Sequence, residues 1–350
     1  MDLPVAAPVS PVPPASPGGE IRVSVIVPTR NRSRLLRDVV GALWAQTLDP
    51  RSFEVIIVDN RSEDDTADVM KELQARSPCR LRYHVMPENR GPARSRNTGA
   101  RLGEGAILAF TDDDCRPSPQ WLERGIAAFS DPGVAFVTGP IGYKPEQVGT
   151  TGFFARDGRD IDEEHPTYSW TNILYRRDVF LEAKGSDEAL CLPDFRNRVV
   201  DCGDTDLAWR IKEAGRRNAF VTEALVWHEL EDMKALDWIW EPFRLFVVAS
   251  LLRRHPELRW RLLQGGIFFT WANALFYLGM VGLGLGIAVR GSFALLALPY
   301  LAWALWLLRE HLSLQRAPKL AAQIALLAVR QGALCAGMIY GSIRFRSLVL

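Results

Sequence analysis

The chain has 350 residues, enough for one large domain with an appendage or for two modest domains. Its 42 Lys and Arg residues nearly balance 41 Asp and Glu residues, so no strong global field marks nucleic acid as a partner. Nearly all acidic residues precede Asp237, and residues 265–289 carry no charge, so a mean hydropathy near zero averages a polar part with an apolar part.

Residues 1–20 contain six prolines and no Lys or Arg. A signal peptide needs a basic start and an unbroken apolar run, so we expect a disordered leader here and a cytoplasmic domain after it. Free thiols in a reducing compartment are also expected, because the five cysteines form no CxxC pair and have no zinc-like spacing.

From Arg22 onward, short apolar runs alternate with segments of helical periodicity. The predicted strands are residues 23–27, 53–58, 81–85 and 106–110. The predicted helices between them are residues 34–45, 63–75 and 97–102. This alternation predicts an α/β fold with a mostly parallel, doubly wound, Rossmann-like sheet, whose ligands bind at the carboxyl ends of the strands.

The regular pattern fades in residues 139–171 and then resumes. A helix is predicted for residues 204–214 and a strand for residues 220–227, which completes a catalytic domain of residues 21–235. Residues 236–262 form an aromatic-rich amphipathic segment that suits either a membrane interface or a packed surface helix.

Residues 263–350 are predicted to form an α-helical membrane-associated region. Segments 265–289 and 291–308 are long and apolar enough to span a bilayer. Segment 320–343 carries Arg330 at its centre, so it either packs in a bundle or lies at the interface.

The distribution of basic residues predicts the orientation. Basic residues precede the first apolar segment and follow the second, and only Arg290 lies between them. The positive-inside rule therefore predicts a cell-membrane protein with a cytoplasmic catalytic domain. Arg344 and Arg346 indicate a cytoplasmic tail, which conflicts with a third complete crossing.

Three adjacent carboxylates, Asp112, Asp113 and Asp114, follow the predicted strand 106–110. They repel one another unless a cation or solvent compensates their charge. Hard oxygen ligands at a strand end suit Mg²⁺ or Mn²⁺ bound together with phosphates, although a solvated acidic turn explains the triplet alone equally well.

Four stretches occur in order at βαβ spacing: VSVIVPTRNR (23–32), VDNRSEDDT (58–66), ENRGPARSRNTGAR (88–101) and FTDDDCRP (110–117). Together they closely resemble the family 2 glycosyltransferases, which have the GT-A fold, over residues 22–229. The resemblance implies sugar transfer from a UDP- or GDP-sugar donor with the help of a divalent cation.

In that family, the residues that match Pro28, Thr29, Arg30 and Asp59 hold the nucleobase. A carboxylate can accept a base N–H, although Asp59 is also suited to capping a helix.

The family's Arg-Asn pair corresponds to Arg96 and Asn97, near the base and the diphosphate. The DxD pair falls on Asp112 and Asp114, with Asp114 favoured for direct contact with the metal, and Asp113 lies between them among the donor-binding residues.

The stretch CGDTDLAWRIKEAG (202–215) resembles the family's acidic helix-start motif. Its catalytic carboxylate corresponds to Asp204, which would deprotonate an acceptor hydroxyl as general base, whereas capping of the helix is the structural alternative. The commoner pattern has Glu at the position of Gly203, so Asp201 or Asp206 remain open as contributors.

Two further residues match the family. Asn172, in the stretch 171–190, corresponds to the segment beneath the donor sugar and the acceptor. His228 corresponds to a recurring histidine that touches the diphosphate or the metal, although a histidine at a strand end is often structural.

The implied reaction is inverting transfer to a hydroxyl of a glycan or lipid-linked acceptor at the cytoplasmic membrane face. One alternative is a polyprenyl-phosphate sugar synthase, whose phosphate acceptor needs no general base. A second is a nucleotide-sugar-binding protein without turnover. A nucleotidyltransferase would usually have a Gly-rich loop with a catalytic Lys or Arg after the first strand, and PTRNRSRL is not such a loop.

Overall fold

The computed structural model describes residues 21–150, 152–156, 160–308 and 317–350. The predicted leader, residues 1–20, lies outside them. The chain forms two compact units. The first ends at Glu231, beside the predicted domain boundary, and the second consists of residues 232–350 together with 153–156 and 194–196.

The first unit contains both strands and helices. Its strands are β1 Val23–Thr29, β2 Phe53–Asp59, β3 Arg80–Val85, β4 Ile107–Phe110, β5 Cys115–Pro117, β6 Val134–Thr138, β7 Ile141–Tyr143, β8 Ile173–Arg176, β9 Leu192–Pro193, β10 Val199–Val200, β11 Arg217–Phe220 and β12 Val226–His228. Its α-helices are α1 Ser33–Trp44, α2 Thr66–Ala75, α3 Pro92–Leu102, α4 Trp121–Ala127, α5 Arg177–Glu182 and α6 Gly203–Glu213.

A seven-stranded sheet forms the centre of this unit, in the order β11-β6-β8-β4-β1-β2-β3. The pairs β1–β2, β2–β3 and β1–β4 are parallel, as predicted. Strand β8 runs antiparallel to both neighbours, so the sheet is mixed.

Helices cover the sheet and explain the continuous apolar runs of β1 and β2, in which every residue is buried. Helix α1 buries Leu36, Val39, Val40 and Leu43, which share one face at helical spacing. Helix α3 approaches the sheet so closely that a Cβ at Gly99 would lie 2.5 Å from Ile26 Cγ2.

The prediction of a single strand over residues 220–227 is wrong. Strand β11 ends at Phe220, and a turn at Thr222 and Glu223 follows, in which the Ala224 N–H donates to the Val221 carbonyl at 3.1 Å. Strand β12 then pairs with β5 and β7 in a separate three-stranded sheet. Two polar residues inside an otherwise apolar run allow the chain to pass from one sheet to the other.

The second unit is helical. Its α-helices are α7 Ala235–Trp240, α8 Val247–Arg254, α9 Arg259–Leu262, α10 Trp271–Ala288, α11 Leu298–Leu307 and α12 Ala317–Phe345. Glu241–Phe246 and Gly291–Ala297 are 3-10 helices. By length and composition, two described helical segments are able to cross a bilayer, namely Trp271–Ala288 and Lys319–Phe345.

Segment 291–308, predicted as a second span, is a 3-10 helix followed by the ten-residue helix α11. This helical segment is shorter than the two that are long enough to cross a bilayer. The 3-10 helix packs back against α10, where a Cβ at Gly282 would lie 2.5 Å from the Leu296 Cβ. Small residues permit such close helix contacts in membranes.

The buried cation of helix α12 has a partner within its own unit. The Arg330 guanidinium lies 4.3 Å from the centroid of the Trp238 ring and donates to the Trp238 carbonyl. This segment therefore packs in a bundle. Phe246 and Leu251 are also buried, which favours the packed alternative for this part of the amphipathic segment, whereas Trp260 is exposed.

Candidate active site

The polar residues that follow three adjacent strands lie at one edge of the sheet. Thr29 and Asp59 are register partners at the ends of β1 and β2, and Asp112 comes shortly after β4. The loops beyond β1 and β2 are linked by the Glu63 N–H, which donates to Asn31 Oδ1 at 2.8 Å. In doubly wound sheets, ligands bind at this edge.

Asp59 is buried and organises the loop after β2. Its carboxylate accepts the Ser62 N–H at 2.7 Å and the Tyr83 hydroxyl at 2.6 Å. It does not cap α2, which begins at Thr66. Tyr83 had no assigned role in the sequence; in β3 it is the register partner of Ile57, two residues before Asp59 on the same face of the sheet. The other residues assigned to the nucleobase lie on β1, where Pro28 is buried, or just after it, where Arg30 is exposed.

Asp112 pairs with a different arginine from the other two carboxylates of the triplet. It accepts a hydrogen bond from Arg96 Nη2 at 2.7 Å, and Arg96 Nη1 reaches Asp201 at 3.2 Å. Arg96 is buried, with its guanidinium 5.0 Å from the centroid of the Trp170 ring. A single guanidinium therefore pairs with two carboxylates at this point of the site, and its one positive charge offsets half of their negative charge.

Asp113 and Asp114 share a different guanidinium. Arg32 Nη1 lies 3.0 Å from Asp113 Oδ1 and 2.9 Å from Asp114 Oδ2. Asp113 also accepts the Thr29 hydroxyl at 2.7 Å. The sequence interpretation missed Arg32, although it closes the quoted PTRNR run and carries the charge that the carboxylates need.

The environment affects these two carboxylates differently. Burial raises the pKa of Asp113 to about 6, although Arg32 lowers it, and the charge of Asp114 acts in the same direction as burial. Burial also disfavours the charged form of Asp114, but His228 and Arg32 beside it hold the pKa below its usual range. Asp114 is therefore the stronger candidate for an ionised metal ligand.

The pairing of β12 with β5 brings His228 to Asp114. His228 is the register partner of Cys115, and its Nε2 lies 3.4 Å from Asp114 Oδ1. Its Nδ1 donates to the Glu229 carbonyl at 2.7 Å, because a carbonyl oxygen only accepts. With the proton on Nδ1, Nε2 donates to Asp114 when the imidazole is protonated, and in the neutral imidazole it offers a lone pair that can bind a cation together with the carboxylate.

Asp204 lies in the first turn of α6 and is partly buried. Its carboxylate accepts the Thr205 N–H at 2.7 Å and the Trp170 N–H at 3.4 Å. Burial raises the pKa of Asp204 to about 7, and the charge of Asp201 acts in the same direction. A carboxylate with this pKa is suited to accept a proton at neutral pH.

The two alternative carboxylates have arginine partners. Asp206 is buried and accepts from Arg210 Nε at 2.8 Å, while Asp201 is held by Arg96. A Cβ at Gly203 would lie 2.2 Å from Ser186 Oγ and 2.9 Å from Asp201 Oδ1, so a glutamate here requires these side chains to shift. The arginine partners of Asp206 and Asp201 favour Asp204 as the base.

Asn97 and Asn172 have their amides engaged by the protein. Asn97 holds both the carbonyl (2.8 Å) and the N–H (2.9 Å) of Ser186. Asn172 is 1% exposed, accepts from Trp121 Nε1, and donates to two backbone carbonyls. These contacts favour a structural role for both residues, and their assignment to the donor and to the sugar or acceptor stays a prediction.

Residues 24–183 match the family model described as glycosyl transferase family 2. The chain carries a family 2 glycosyltransferase domain. Glycosyltransferase AglE of Haloferax volcanii is 30% identical over 211 residues, which cover 59% of this chain and 66% of that protein. The pre-mycofactocin glycosyltransferase of Mycobacterium tuberculosis is 29% identical over 281 residues, which cover 79% of this chain and 56% of that protein. The chain thus spans less than two thirds of the length of these curated relatives.

Among solved structures, the mannosyltransferase PcManGT from Pyrobaculum calidifontis, in complex with GDP-Man and Mn²⁺, aligns with a TM-score of 0.55. It is 20% identical, and the alignment covers 97% of this chain and 90% of that one. This likeness is one of fold. Together with the family match it confirms the predicted GT-A α/β architecture of the glycosyltransferase domain.

Proposed function

We propose that this protein is an inverting glycosyltransferase that moves a sugar from a UDP- or GDP-sugar to a hydroxyl of a glycan or lipid-linked acceptor. The observation that carries the proposal is the environment of Asp204. Its carboxylate lies in the first turn of α6 and has a pKa raised to about 7. The strand-end carboxylates of the same domain match those of the family.

The donor would lie along the edge formed by the ends of β1, β2 and β4. Asp59 is held in place by Ser62 and Tyr83 and keeps acceptor capacity for a base N–H, because a carboxylate offers about four lone-pair sites. Arg96 would lie near the diphosphate, as the family's Arg-Asn pair implies, with its guanidinium fixed by two carboxylates.

Asp114 and His228 are the side chains that would hold the predicted divalent cation, Mg²⁺ or Mn²⁺. Their atoms lie 3.4 Å apart, and the hydrogen bond from Nδ1 to Glu229 directs Nε2 toward the carboxylate. Such a cation neutralises negative charge on a departing nucleoside diphosphate. Asp112, also predicted as a ligand, is engaged by Arg96. The Mn²⁺ bound to the mannosyltransferase of the same fold supports the proposal.

Asp204 would remove the proton from the acceptor hydroxyl while its oxygen attacks the anomeric carbon from the side opposite to the leaving group. One displacement inverts the configuration at that carbon. A phosphate acceptor is already ionised and needs no base, so the raised pKa of Asp204 favours a hydroxyl acceptor over the polyprenyl-phosphate alternative.

A titration of full-length protein in detergent with UDP, GDP and their sugar conjugates, in the presence of Mn²⁺, tests the donor class. We expect one nucleotide class to bind, and Asp59→Asn to weaken its binding by about tenfold or more, because a hydrogen bond to a charged group is lost. Asp68→Asn, an exposed carboxylate paired with Lys71, is the matched control. Failure of both nucleotides to bind would remove the proposed donor.

We also propose that the helices of the second unit anchor the protein in the cell membrane with the glycosyltransferase domain on the cytoplasmic side. The support is the exposed apolar surface of α10, including Met280, Val281 and Ile287, and the asymmetry of basic residues around this helix.

Labelling with a thiol reagent that does not cross membranes tests this orientation in intact cells. Lys71→Cys, on the exposed face of α2, should stay unlabelled until the cells are opened. Arg290→Cys, at the exposed end of α10, should label at once, and the parent protein gives the background. Immediate labelling of Lys71→Cys would contradict the orientation.

A further inference from the structure

We propose that Arg32 is an internal counter-ion of the cation site, bridging Asp113 and Asp114 in the ligand-free protein and leaving them when a divalent cation binds with the donor. This inference rests on the cation site of the proposed function. It adds a residue that the family motifs did not single out and assigns it to the coupling between cation and donor.

The geometry shows which partner is free to move. One nitrogen, Arg32 Nη1, lies within 3.0 Å of both carboxylates. The side chain of Arg32 is 40% exposed, whereas those of Asp113 and Asp114 are 6% and 14% exposed. The arginine can therefore swing into solvent without unpacking the core, while the carboxylates stay at the strand end.

Arg32 and a divalent cation compete for the same carboxylates. A guanidinium and a divalent cation both carry positive charge, and they repel each other when they are held by the same carboxylate. The cation must therefore displace Arg32 from Asp114. Its apparent affinity is reduced by the fraction of protein in which that carboxylate is paired with Arg32.

A released Arg32 has a place to go. Arg32 lines a cavity of about 290 Å³ together with Arg34 and His228, and the other charged residues of this cavity are carboxylates: Asp64, Asp114, Glu229 and Glu231. A diphosphate held by the cation would present anionic oxygens there, and arginine forms strong, charge-assisted hydrogen bonds with phosphate. If Arg32 exchanged its carboxylate partners for a phosphate of the donor, the donor and the cation would bind cooperatively.

The test measures free Mn²⁺ by electron paramagnetic resonance during titration of full-length protein in detergent. Arg32→Gln removes the competing charge, and we expect it to bind Mn²⁺ about tenfold more tightly than wild type. Arg32→Lys keeps the charge and should stay near wild type. Arg37→Gln, on helix α1, which begins directly after Arg32, and paired with Glu72 at 2.8 Å, is the matched control and should change affinity by less than about twofold.

A second titration adds UDP or GDP, whichever binds. The nucleotide should tighten Mn²⁺ binding more in wild type than in Arg32→Gln, because only wild type then relocates an arginine. Mn²⁺ affinity of Arg32→Gln no higher than that of Arg37→Gln, with binding lost in Asp114→Asn, would overturn the role of Arg32 and leave the cation site standing. Wild-type Mn²⁺ affinity in Asp114→Asn would overturn the cation site and this inference together.

Discussion

Asp204→Asn is expected to lower kcat by about 10²- to 10⁴-fold while donor affinity stays near that of wild type. Asparagine keeps the size of the side chain and an oxygen that can accept the Thr205 N–H, but it cannot accept the proton. Donor binding is assigned to other residues, so the defect should lie in kcat. Steady-state kinetics over a range of donor concentrations up to saturation shows whether kcat or the KM for the donor has changed.

The stereochemistry of the product supplies an independent check. A single displacement converts an α-linked donor into a β-linked product, which NMR of the product distinguishes. Retention of configuration would reject the single displacement. An Asp204→Asn variant with weak donor binding but normal turnover at saturation would make Asp204 a binding or capping residue.

The raised pKa also predicts opposite pH effects on activity and on stability. The base must be ionised, so kcat should rise as the pH increases through about 7. The folded-state pKa lies above the unfolded value of about 3.9, so the folded protein binds the proton more tightly and loses stability as the pH rises from about 4 to 7. Asp204→Asn removes this loss, and its Tm at pH 8 should exceed that of wild type.

Removal of the divalent cation is expected to abolish turnover. Chelation by EDTA should inactivate the enzyme, and Mn²⁺ or Mg²⁺ should restore it. Asp114→Asn should lower kcat/KM by about a hundredfold or more, because a bound cation contributes several kcal/mol of charge stabilisation in such reactions. Radiometric transfer assays before and after dialysis against chelator measure both effects.

The control for Asp114→Asn is Asp68→Asn, which makes the same change of charge at an exposed residue of α2 and should alter kcat/KM by less than about twofold. Full activity in chelator, or in Asp114→Asn, would remove the cation from the mechanism and leave Asp114 as a partner of Arg32.

Local patterns predicted the architecture of the glycosyltransferase domain. The apolar runs of β1 and β2 and the helical spacing of α1 arise from burial against immediate neighbours, so they can be read along the chain. The motifs also predicted the family. The strand prediction for residues 220–227 was wrong, because an apolar run does not show that its two halves belong to different sheets.

By itself, the sequence determined the first four strands, their order along the chain and the family's motifs, because periodicity and short motifs are local properties. The tertiary structure decided which carboxylate faces which cation. Asp112 is held by Arg96, which also pairs with Asp201, while Asp114 meets Arg32 and His228. Apart from Asp112 and Arg96, these partners are far apart in sequence. Strand order and register bring them together. The electrostatic interaction between two such charges depends on their distance and burial, so it becomes strong only after the sheet has formed.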